Sequence, residues 1–411
     1  MSAARPAFAA ALLALAACAA HAPPEPAPLK VPAPAQIDAT VQELMRRAQV
    51  PGLALAVIQN GRIAYLRTYG FRDVAMQAPL QPDTVMYAAS LTKAAFAYLV
   101  MQLVDEGRLD LDRPIGEYLP KPLPAYDKYA DLAGDERWKQ LTARRLLSHT
   151  SGFPNFRYFT PQGYQADAKL AFDADPGSRF GYSGEGINLM QFVIEQGLGF
   201  DVGTLMQQRV FDRFGMDRSS MVWREDFAAN LAIGYDEAGA PLGHKQRQSV
   251  RAAGSLDTTP ADYAKLLAGL QRGEGLSAAA RAEMLRPQVR IDTVQQFPPW
   301  SRETTADNRG IELSYGLGWG LFRSPRGAAF FKEGHDDGTN NYALCLDDAH
   351  TCLLLMSNSS NGEGIFKYIA DAVLGETCLP WFWSAYIPYD HPELRRPEAR
   401  AQPHPPCGPV R

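Results

Sequence analysis

Leu53-Ala-Leu-Ala-Val-Ile58, Gln59-Asn60-Gly61-Arg62 and Ile63-Ala-Tyr-Leu66 make up one continuous stretch near the start of the chain, and its reading decides the fold. Two apolar runs flank an Asn-Gly pair. Asn and Gly accept the positive φ values that a two-residue turn between antiparallel strands demands, so the stretch predicts a β-hairpin. Matching strands lie near the far end of the sequence: Ala329–Phe331, Tyr342–Leu346 and Thr351–Met356, followed by a closing helix over Ile365–Leu374 that stops at Gly375. The middle of the chain is different. Ala94–Val104 is apolar almost all round, which predicts a helix buried on every side, ended by Gly107. Leu141–Leu147, Ile187–Gln196, Val202–Phe214, Pro260–Leu270 and Ala278–Leu285 also read as helices, and Ile37–Gln49 carries helical spacing in Val41, Leu44 and Met45. Strands at both ends around a long helical insertion predict an α+β fold (an α/β sandwich). An antiparallel sheet from both chain ends is flanked by helices, with a mainly helical lobe beside it and a cleft between.

The chain has 411 residues, 46% hydrophobic and 21% charged, with a net charge of -4. No basic stripe stands out to neutralise phosphates, which removes nucleic acid as a partner class. Arg5 followed by the apolar run Phe8–Ala17 reads as a secretory signal, because the run is far shorter than the roughly 20 residues a bilayer span needs. It ends in Leu15-Ala16-Ala17-Cys18, which resembles a bacterial lipobox. Residues 1–18 are then a lipoprotein signal peptide with Cys18 lipidated, against the alternative of ordinary cleavage at Ala20 or Ala22. Ala19 in place of Asp favours an outer-membrane anchor facing the periplasm, the membrane being met only through that lipid. Residues 19–36 are a Pro/Ala-rich linker, 37–378 the folded domain and 379–411 a Pro-rich C-terminal tail. In an oxidising compartment Cys345 and Cys352, which flank a turn, would face each other across a hairpin, and Cys378 with Cys407 would tie down the tail.

Three short motifs carry chemistry. Ser90-Leu-Thr-Lys93 opens the most apolar helix, so Ser90 sits at a helix N-terminus whose free N–H groups favour developing negative charge. Lys93 lies one turn on, over the serine, and a desolvated lysine can take the hydroxyl proton. On this motif alone, a plain N-cap with an outward-snorkelling lysine fits equally well. Phe180-Gly-Tyr182-Ser-Gly184 offers a phenol at the start of the next helix. Beside a cationic lysine such a phenol has a lowered pKa and shuttles protons, although a tyrosine merely packing there is commoner. Glu333-Gly-His335-Asp-Asp337-Gly338 would place His335 at a strand end facing the cleft, or simply form a polar turn. The polar segment Arg290–Asn308 is read as a loop lining or covering the cleft. There is no G-x-S-x-G, H-E-x-x-H, C-x-x-C or phosphate-loop pattern, so no metal or cofactor is expected.

Together these motifs resemble the serine β-lactamase and penicillin-binding-protein superfamily, in particular the branch of class C β-lactamases, D-aminopeptidase and D-Ala-D-Ala carboxypeptidase-like enzymes and related esterases. The likeness runs from about residue 38 to 375 and includes Leu146-Leu-Ser-His-Thr-Ser-Gly152, Phe214-Gly-Met-Asp-Arg-Ser219, Ala253-Gly-Ser255 and Tyr315-Gly-Leu-Gly-Trp319. It implies that Ser90 is the acylated nucleophile, Lys93 its proton-transfer partner, Tyr182 the shared base and His335 the group supporting the tyrosine. The N–H groups of Ser90 and Gly338 would form the oxyanion hole, worth roughly 3–4 kcal/mol. Two positions depart from the pattern. Gly184 stands where strict β-lactamases carry Asn, and Asp337 where the third motif ends in glycine; a carboxylate there would repel an anionic substrate or narrow the cleft. The implied function is hydrolysis of a small ester, amide or β-lactam-like bond in a small-molecule or peptide substrate. The alternative is a catalytically inactive cell-envelope protein that uses the same cleft to bind a cell-wall peptide.

Overall fold

The protein is described here by a computed structural model covering residues 29–407; Cys18, the signal segment and most of the linker lie outside the described residues. A helix α1 (Pro34–Ala48) precedes the hairpin of β1 (Gly52–Gln59) and β2 (Arg62–Asp73), with a two-residue β3 (Ala78–Pro79) beyond it. The hairpin turns where expected, with φ of 50° at Asn60 and 70° at Gly61. Helix α1 starts three residues earlier than the helical spacing predicts. Pro34 occupies its first turn, where a missing N–H costs nothing and a fixed φ helps.

The helical insertion includes α2 (Leu91–Asp105), α3 (Gly184–Gly197) and α4 (Pro260–Gln271). The sheet then resumes with β4 (Val289–Arg290), β5 (Ser314–Tyr315), β6 (Gly320–Ser324), β7 (Gly327–Asp336), β8 (Thr339–Leu346) and β9 (Thr351–Ser357), before the closing helix α5 (Glu363–Leu374). These form one nine-stranded sheet in the order β4-β5-β6-β7-β8-β9-β1-β2-β3. The two chain ends meet where β9 pairs antiparallel with β1, Leu55 opposite Leu355. Alternate side chains of β1 serve opposite faces. Leu53, Leu55 and Val57 pack with α1 and α5, whereas Ala54, Ala56 and Ile58 face α2 and α4. The small alanines let α2 approach, and α2 is buried from Leu91 to Leu103 on all sides.

Both cysteine pairs form disulfides, Cys345–Cys352 across the β8–β9 hairpin and Cys378–Cys407. The second does more than fasten a tail. Leu379, Phe382, Trp383 and Tyr386 are buried, Trp383 Nε1 donates to Thr293 Oγ1 at 3.0 Å and Tyr386 OH donates to the Asn341 carbonyl at 2.7 Å. The folded unit therefore continues past 378. The prolines after Leu379 masked an aromatic set that the core uses. Among the described residues no helix is long and apolar enough to cross a membrane.

Candidate active site

Ser90 is the N-cap of α2, with its side chain left out of the cap, so its hydroxyl is free for other partners. Lys93 Nζ lies 2.9 Å from Ser90 Oγ and donates to the Ala253 carbonyl at 2.6 Å. The lysine is 1% exposed, and among the described residues no carboxylate bonds to it. Burial, reinforced by the nearby Lys332 charge, holds its pKa well below the ordinary lysine range. The alternative of an outward-snorkelling lysine is thereby removed.

Tyr182 ends the loop before α3 and is fully buried at that site. Its hydroxyl accepts a hydrogen bond from Lys332 Nζ at 3.1 Å, and Lys93 Nζ sits 5.0 Å from its ring centroid. The phenol does not titrate low, as a neighbouring cation alone would make it. Burial raises its pKa against the pull of Lys332 and the Ser90 hydroxyl. His149, from the Leu146–Gly152 segment, packs its ring 4.3 Å from Tyr182 and accepts from the Ser183 N–H at 3.1 Å through Nδ1. Lys332 is matched by Glu333 at 2.6 Å, and Gln296 Nε2 donates to the same carboxylate oxygen at 2.7 Å. Burial opposes the charge on Lys332, but Glu333, Tyr182 and Tyr315 outweigh it and its pKa stands well above the usual value.

The third motif sits elsewhere than the sequence reading put it. The cation on Tyr182 is Lys332, not His335, whose ring lies 5.8 Å from Phe297 and 6.0 Å from Tyr386 in the cleft wall. The glycine against the nucleophile is Gly334. A Cβ there would come within 2.6 Å of the Ala88 carbonyl, 2.8 Å of the Leu91 nitrogen and 3.1 Å of the Ser90 nitrogen. Gly338 is displaced because β7 turns back early: it has φ 74° in the β7–β8 turn, and its N–H is spent on Ser360 Oγ at 2.9 Å. Asp336 pairs with Thr339 across that two-residue turn, so the amides of Glu333 and His335 point away from β8. On that side β6 has ended opposite Phe331, leaving the edge open. Asp337 is exposed at the cleft mouth, away from the position against Ser90. Gly184 opens α3 with its N–H on Asn155 Oδ1 at 3.0 Å, and Phe156 would collide with any side chain there at 2.6 Å.

A family model described as Beta-lactamase matches residues 37–376. The chain belongs to the Beta-lactamase family. It is 30% identical to a beta-lactamase of Pseudomonas fluorescens over 213 residues, covering 50% of this chain and just over half, 56%, of that one. It is 26% identical to penicillin-binding protein 4 of Amycolatopsis lactamdurans over 350 residues, covering 80% and 86%. In three dimensions it resembles the octameric penicillin-binding protein homologue from Pyrococcus abyssi, with a TM-score of 0.67 at 22% identity, covering 84% and 78%.

As in the architecture expected of this Beta-lactamase family member, sheet and helical lobe enclose a cleft of about 910 Å³ that contains Ser90 and Tyr182. Phe297, Pro298, Pro299 and half-buried Trp300 line it, so the segment 290–308 is part of the cleft wall. Lys332 lies one residue past the apolar run Ala329–Phe331, which by itself predicts a strand only as far as Phe331. The signal was there: a lysine within Phe330-Phe-Lys-Glu-Gly334 continues the alternation of a buried strand, on the face Phe330 presents to α2.

Proposed function

We propose that the protein is a serine hydrolase that forms an acyl-enzyme on Ser90. The observation that carries this is the buried, uncompensated Lys93 amine 2.9 Å from the Ser90 hydroxyl. Neutral Lys93 takes the Oγ proton as Oγ bonds to the carbonyl carbon of an ester, amide or β-lactam-like group. The oxyanion is met by the Ser90 N–H and, on the open edge of β7, by the His335 N–H. The tetrahedral adduct collapses, the leaving group takes the Tyr182 proton, and the phenolate is held by the Lys332 ammonium 3.1 Å away. A water then gives its proton to the phenolate and attacks the acyl carbon, and Ser90 leaves with the proton stored on Lys93. Every group returns to its starting state.

The test is a fluorophosphonate or β-lactam probe, read by intact mass and peptide mapping. An adduct on Ser90, absent in Ser90→Ala, supports the hydrolase. No adduct on folded protein with any probe overturns it and leaves a binding protein for a cell-wall peptide. We further infer export and lipidation at Cys18, a reading supported by the two disulfides. Metabolic labelling with a fatty-acid analogue, lost in Cys18→Ser, would be the check.

A further inference from the structure

Toward the helical lobe the Ser90 cleft continues into a side pocket of about 300 Å³, sharing Phe156, Tyr158, Asn188 and Arg251 with it and adding Lys128. Charge is divided along this space. On the sheet side stand Glu237, Asp336 and Asp337, with Glu333 already matched by Lys332 at 2.6 Å. The cations near that end are already engaged: Lys245 pairs with Asp336 at 3.2 Å, and Arg247 lies 3.7 Å over the Tyr87 ring and 4.0 Å from buried Asp257. In the side pocket the lining acid, Glu185, is engaged instead, held by Arg157 at 3.1 Å. Neither Arg251 nor Lys128 forms an ion pair among the described residues. Asn188 accepts the Ala253 N–H at 3.1 Å through Oδ1, which fixes its amide and leaves Nδ2 with no acceptor among the described residues. Lys128 is exposed, its Nζ 5.6 Å over the Tyr129 ring and 5.9 Å over that of Phe192.

A forked guanidinium, an amide N–H and an ammonium lining one pocket offer the donors that a carboxylate needs. We propose that Arg251, with Asn188 and Lys128, binds a carboxylate on the substrate, so that the bond cleaved at Ser90 belongs to an anionic ester or amide. This rests on the Ser90 reading above and names its substrate class.

Two ester series test it: p-nitrophenyl butyrate against mono-p-nitrophenyl glutarate, and phenyl butyrate against 4-carboxyphenyl butyrate. The expected result is a kcat/KM preference of about tenfold or more for the charged member of one series. Arg251→Gln removes that preference, leaving neutral esters within about twofold. Glutarate itself, titrated calorimetrically, reads the subsite without turnover and should bind wild type but not Arg251→Gln. Preference for the neutral ester in both series, an equal loss for charged and neutral esters in the variant, or no glutarate binding overturns the proposal. Silence toward every ester with glutarate binding intact would instead sink the Ser90 reading.

Discussion

A lysine amine placed among apolar helix residues gives up hydration that Lys93 recovers only from the Ala253 carbonyl and the Ser90 hydroxyl. Its folded pKa lies below its unfolded one, so over the interval between them the unfolded chain binds the proton and the folded chain does not. Stability therefore rises with pH through that interval. Lys93→Met should abolish Ser90 labelling yet leave the protein as stable as wild type or more so, by about 0.5–2 kcal/mol at pH 7, in denaturant melts. The same shift sets the pH dependence of the reaction. Because the neutral amine is the base, kcat/KM should fall as pH drops through the depressed Lys93 pKa, a low-pH limb that an ordinary lysine would place near pH 10. Lys332 behaves oppositely, being paired. Lys332→Met leaves Glu333 buried without its cation, at a cost of about 3–5 kcal/mol. Adding Glu333→Gln should restore most of the stability but not the rate, with acylation slowed in stopped-flow traces because the Tyr182 phenolate formed as the leaving group departs has lost its counter-charge. Ser90, Lys93 and Tyr182 were legible because each opens or precedes a helix with a clear apolar pattern. Lys332 was not, because it lies one residue past an obvious apolar run.

Strand β7 packs across helix α2, and Gly334 allows the strand backbone to reach the Ser90 amide. The obstacles to a side chain there are backbone atoms, which cannot swing aside. Gly334→Ala should push the strand off the nucleophile and lower kcat by about 10²–10³, the effect of losing an oxyanion donor. Circular dichroism should remain native, and stopped-flow acylation would measure the loss. The turn Asp337-Gly338 explains why the sequence reading chose the wrong glycine. Both glycines follow polar residues, and only pairing of β7 with β8, ending at Asp336 and Thr339, shows which lies in the strand and which in the turn.

At the level of the molecule, the segment after Cys378 closes the structure behind the cleft. Trp383 and Tyr386 are buried against Thr293 and Asn341, and Ala385 reaches the cleft itself. Cys378→Ser with Cys407→Ser should cost about 2–4 kcal/mol by freeing the loop in the unfolded chain. Trp383→Ala should cost about 3–5 kcal/mol. Thermal melts would register both, and a segment that was only a tail would show neither.

The sequence by itself determined the α+β plan, the buried helix after Ser90, the first hairpin and the pairing of serine with lysine. These depend on periodicity and turn chemistry within a few residues of one another. The tertiary structure decided that Lys332 rather than His335 meets Tyr182, that Gly334 rather than Gly338 abuts Ser90, and that the Pro-rich end belongs to the core. Each is a contact between residues 45 to 244 positions apart. Local spacing carries no record of such contacts, because strand register and helix packing arise only when the two ends of the chain share one sheet.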